Sequence, residues 1–82
     1  MHFPVKELEE RIVAAKRFLN QEMTHIRNED GVNSFNVQQI AYHMDHIHNV
    51  ERIGLRNIEE LDYIRIKRVL TSVEAQMGLN LN

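Results

Sequence analysis

Apolar side chains at Val5, Leu8, Ile12, Ala15, Leu19 and Ile26 return every three or four residues, and Met23 covers the gap left by Glu22. That period gathers side chains along one face of an α-helix, so the chain opens with an amphipathic helix over about residues 4–27. Pro4 has the fixed φ that suits a first helical turn. Glu7, Glu9 and Glu10 lie near the positive end of the helix dipole, while His25 and Arg27 lie near its negative end. Glu7 and Arg11, four residues apart, are placed to pair along the helix surface.

Asn28-Glu29-Asp30-Gly31 ends this pattern, because glycine accepts a left-handed backbone and Asn and Asp side chains compete for backbone hydrogen bonds. After a short loop, Asn36 and Gln39 have the spacing of a capping box, with Phe35 placed to staple against Ile40. A second helix is predicted over 37–49, or onward to 53 if Asn49 does not break it. Its core stripe is expected to hold Val37, Ile40, Ala41, Met44, Ile47 and His48. Gly54 closes the region, and Asn57 with Glu60 repeats the capping signal before a third helix over 58–77. Tyr63, Ile66, Leu70, Val73 and Met77 form its seam, with Val69 beside it and Ile58, Leu61 and Ile64 widening the surface near its start. It is the expected central helix, and Gly78-Leu79 has the form of a Schellman stop.

The fold class expected is therefore all-α: one small three-helix domain, either a closed bundle or an open one completed by a second copy. A chain of 82 residues has a thin core, which makes added stability from a partner an expectation. The absence of cysteine removes disulfides and thiolate zinc sites, and fits a reducing, cytoplasmic setting. No apolar run approaches the length of a signal peptide or a membrane span, so no membrane insertion is expected. A net charge of −2 with both signs interspersed supplies no long-range attraction to nucleic acid.

The most conspicuous string is His43-Met44-Asp45-His46-Ile47-His48. Imidazole and carboxylate suit zinc, iron or nickel, and His43 and His46 lie one turn apart. His48, however, points about 140° away from His43 on a helix, leaving too few ligands. The expectation is that His48 belongs to the core edge, that His43 and His46 are solvated, and that no metal or other cofactor is bound. Nucleophilic catalysis finds no cysteine and no serine or threonine beside an oriented base, so no enzymatic activity is expected. The segment from Val37 to Leu70 has the outline of a helix-turn-helix, with Arg52, Arg56, Arg65, Lys67 and Arg68 as phosphate contacts. Interleaved Glu51, Glu59, Glu60 and Asp62 weaken this alternative, a small DNA-binding regulator.

If the second helix passes Asn49, then Tyr42, His46, Val50 and Ile53 form a second semi-apolar stripe turned away from the core stripe. Together with His43, these residues are the candidate contact set for a protein partner or a second copy of the chain. The expected function is non-enzymatic: a regulatory or adaptor protein that acts by binding.

The whole chain, from the Phe3-Pro4-Val5-Lys6-Glu7-Leu8 opening to its asparagine-rich tail, resembles the lysis-inhibition accessory proteins of T-even phages in length and character. The resemblance implies a cytoplasmic factor that helps delay host lysis by contacting the cytosolic part of the holin or antiholin system. It assigns no residue a role.

Overall fold

A computed structural model describes residues 3–29 and 33–80. Three helices, α1 (Val5–Arg27), α2 (Val37–Ile53) and α3 (Glu60–Asn80), account for nearly all of it, with no strand among the described residues.

The helix starts follow local hydrogen bonding. Pro4, at φ −75°, stands just before α1 and its carbonyl takes the Leu8 N–H at 2.9 Å. At the start of α2 the reciprocal box forms as the sequence predicts: Gln39 N–H donates to Asn36 Oδ1 at 2.8 Å, and Asn36 N–H to Gln39 Oε1 at 2.9 Å. Phe35 and Ile40 are both buried on either side of it.

The start of α3 differs from expectation. Glu59, not Asn57, occupies the cap position: its N–H donates to Asp62 Oδ2 at 3.2 Å and its carbonyl accepts from the Tyr63 N–H. Ile58 is already buried ahead of the helix. Asn57 instead turns back on α2, its side-chain amide 3.4 Å from the Ile53 carbonyl.

α1 ends at Arg27, where the Asn28-Glu29-Asp30-Gly31 run was expected to break it, while the end of α3 is a correction. The left-handed residue after α1 is Glu29 at φ +51°, while Asp30 and Gly31, where the break was expected to turn, lie outside the described residues. Gly78 does not stop α3, which continues to Asn80. A Schellman turn needs a left-handed residue, and among the described glycines only Gly54, at φ +94°, has one. Gly54 is what ends α2, its N–H bonded to the Val50 carbonyl at 2.9 Å.

α2 runs through Asn49. That side chain accepts from Arg52 Nη2 at 2.8 Å within the helix and so caps nothing, and Val50 on the next position is anchored in the core.

One core is shared by all three helices, each packing on both others, so α3 is not more central than its neighbours. Leu8, Ile12, Ala15 and Leu19 come from α1, Ile40, Ile47 and Val50 from α2, and Ile66, Val69, Leu70 and Val73 from α3. The body measures 43 × 24 × 16 Å, thin enough that every helix keeps a face in solvent. The α2 stripe is rotated from the expected one: His43 and Val50 are buried, whereas Val37, Ala41 and His48 are exposed. The reason is geometric, since α2 must bury a broad arc against α1 on one side and α3 on the other. Leu61 and Ile64 of α3 also remain exposed.

Three polar features tie the elements together, one of them the exposed pair of Lys16 on α1 with Glu51 on α2 at 3.0 Å. Glu22, only 5% exposed, accepts from the backbone N–H groups of Ser34 at 2.7 Å and Phe35 at 3.2 Å. Arg11 pairs with Glu74 of α3 through two 2.8 Å hydrogen bonds, not with Glu7. A bidentate grip across helices has better geometry than a pair along one helix.

Candidate functional site

The outward side of α2 faces a shallow cleft against α3, about 280 Å³ in volume. Tyr42, Asp45, His46 and Asn49 form its α2 wall, Asp62 and Arg65 its α3 wall, and Val50 and Ile66 its floor. Ile53 lies one turn beyond Asn49 on the same face, 37% exposed. Tyr42, the most exposed large apolar side chain among the described residues at 58%, stands at the other end.

Tyr42 is held by its neighbours. Its ring meets His46 edge-on at 4.5 Å between centroids and His43 at 5.5 Å. His43 in turn meets Phe35 edge-on at 4.9 Å, and Phe35 meets Phe18 of α1 at 6.4 Å. A chain of edge-to-face contacts thus runs from the core to the surface tyrosine. Edge-to-face contact favours one arrangement of the rings, so the exposed Tyr42 ring is presented against His43 and His46.

The candidate contact set is divided by this geometry. Tyr42, His46 and Ile53 share the surface, with His46 half-buried. Val50 is 3% exposed and forms part of the floor, and His43 is 8% exposed beneath Tyr42. The expectation that His43 is solvated is therefore corrected, as is the one that His48 lies at the core edge. The core stripe of α2 read from sequence took in Val37, Ala41 and His48, which are exposed, and left out His43 and Val50, which are buried.

His43 has a buried Nδ1 without a hydrogen-bond partner. Burial pushes its pKa below the ordinary imidazole value, and the nearby His46 adds to the effect. The neutral ring is the form this site accommodates. Among the described residues no group of three or more histidine, aspartate or glutamate side chains is arranged to hold a metal ion. No helix among them is long and apolar enough to cross a membrane.

Asp45, Asp62 and Arg65 join the site although the sequence did not single them out for it. Asp45 is readable as an edge of the stripe, three residues after Tyr42. Asp62 and Arg65 become neighbours of α2 only through the packing of α3, for which local sequence holds no signal. No protein-family model, curated protein or solved structure matches this chain.

Proposed function

We propose that the protein is a non-enzymatic regulatory or adaptor factor that works by protein–protein binding along the outward face of α2, to a partner protein or to a second copy of the chain, with Tyr42, His46 and Ile53 as its contacts. The observation that carries this reading is the oriented, exposed Tyr42 ring, with Ile53 three turns away on the same face. A rigid aromatic and a branched apolar side chain edged by charges is the usual composition of a binding hot spot. Asp45 and Arg65 supply the polar edge.

The biological setting we propose is the delay of host lysis in a T-even-type phage, acting from the cytoplasm on the holin or antiholin system. Its support is the resemblance of the chain as a whole. Co-expression with such a holin and antiholin, followed by the time to lysis, tests both parts. The wild-type chain is expected to lengthen that time, and Tyr42→Ala with Ile53→Ala to abolish the delay while helicity by circular dichroism stays within about a tenth of wild type. No delay from the wild-type chain ends the lysis reading. A delay that survives the double substitution moves the contact face elsewhere, and loss of the fold shows that the stripe is core.

A further inference from the structure

The outward face of α2 has a symmetry that its neighbours in the chain do not use. Tyr42, His46, Asn49 and Ile53 are separated by four, three and four residues, the spacing of a coiled-coil seam. The order is apolar, polar, polar, apolar, so the stripe reads the same in either direction. Turned end for end about an axis level with Ile47 and His48, α2 brings Tyr42 opposite Ile53 of a second copy and His46 opposite Asn49.

The charges along one flank of the stripe agree with that arrangement. Asp45 and Arg52 lie two turns apart on the same edge of α2, about 10 Å along the axis, too far to pair within one chain. Among the described residues neither makes an ion pair. In an antiparallel pair of helices each flank meets its own counterpart, so Asp45 comes to the level of Arg52 of the second copy, within about 3 Å of axial offset, and the contact occurs twice. Arg52 is already oriented, since its Nη2 donates to Asn49 Oδ1 on the stripe at 2.8 Å. The other edge carries Asp62 and Arg65 of α3, whose charges offset each other.

We infer that this face is occupied by a second copy of the chain, in a two-fold dimer with α2 antiparallel to α2, Tyr42 packed on Ile53, and Asp45 paired with Arg52 across the interface. The inference rests on the proposal that the α2 face is a binding surface, and it names the occupant. A stripe about 17 Å long, with each copy also reaching the α3 wall of the other, gives an isologous interface in which every contact is made twice.

Charge reversal tests the register. Asp45→Arg places arginine against arginine in a homodimer, and Arg52→Asp places aspartate against aspartate. Mixing the two single variants restores both opposite-charge contacts. Sedimentation equilibrium of the wild-type chain at about 100 µM is expected to show dimer. Each single variant is expected to associate about tenfold more weakly or worse, and their equimolar mixture to recover association as a heterodimer. The double variant carrying both reversals is likewise expected to dimerise. Both substitutions are at exposed positions, and circular dichroism checks that the monomers stay folded.

A monomeric wild-type chain at that concentration overturns the inference, as does a mixture no tighter than its components. Cross-linking of position 42 to a different polypeptide while the wild-type chain is monomeric would retain the binding surface and remove this occupant. The two failures are thereby separated.

Discussion

Glu22 occupies a core position of α1, and replacing it tests whether the connection to α2 is held by a buried carboxylate. Its Oε1 is the acceptor for two backbone N–H groups, those of Ser34 and Phe35, and the Phe35 bond is buried. Glu22→Ala leaves both donors without that acceptor. An unmet buried N–H costs about 1–3 kcal/mol, and hydrogen bonds to a charged group contribute about 1.5–3 kcal/mol each, so a total loss of about 3 kcal/mol is expected. For a domain of this size that lowers the thermal midpoint by about 12–24 °C, readable by circular dichroism at 222 nm. Glu22→Gln keeps a carbonyl acceptor and is expected to cost only about 1 kcal/mol. Glu22→Leu separates the two contributions of the side chain, because it restores apolar contact in the helix register without restoring an acceptor. It should remain destabilised by about 2 kcal/mol. A leucine variant as stable as wild type, or a glutamine variant as unstable as the alanine one, would refute the capping role.

Substitutions at three further places test the fold and its electrostatics. The depressed pKa of His43 means that the unfolded chain binds a proton more readily than the folded one, so stability rises with pH. The full contribution is present above the ordinary imidazole value of about 6.5 and is lost as pH falls from there through the folded-state value; His43→Leu should flatten the midpoint-against-pH profile in that window, and an unchanged profile contradicts a buried neutral ring. Removing Arg11 or Glu74 breaks a partly exposed bidentate pair, and a double-mutant cycle should give a coupling of about 0.5–1 kcal/mol that fades in high salt. Gly54→Ala forces a Cβ into a left-handed position 3.2 Å from the Asn57 side-chain amide, with an expected cost of about 1–2 kcal/mol in urea unfolding.

Helix type and number were legible because the apolar spacing is regular and the Asn36–Gln39 box is strictly local. The boundaries that failed depend on competition between nearby candidates. At α3, Asn57 and Glu59 both precede a possible first turn, and burial of Ile58 decides for Glu59. The α2 face was harder to read, since His43 and His48 are the same residue type on different sides of one helix. Their burial is decided by where α1 and α3 pack, which no local pattern encodes. Glu22 illustrates the same limit. Its place in the three-and-four spacing was a signal that a polar group had entered the core, yet the loop donors it serves lie more than ten residues away. That Tyr42, His46 and Ile53 share one face was legible from spacing alone, while the approach of Asp62 and Arg65 to that face required the tertiary fold.

The outward face of α2 is proposed to serve binding and to contribute little to the fold. Photo-cross-linking with benzoylphenylalanine at position 42 tests it most directly, with the same probe at exposed position 20 on α1 as the control. A discrete adduct with one polypeptide, a second copy or another protein, is expected from position 42 and none from position 20. Equal labelling from both positions, or no adduct from position 42, would contradict the account.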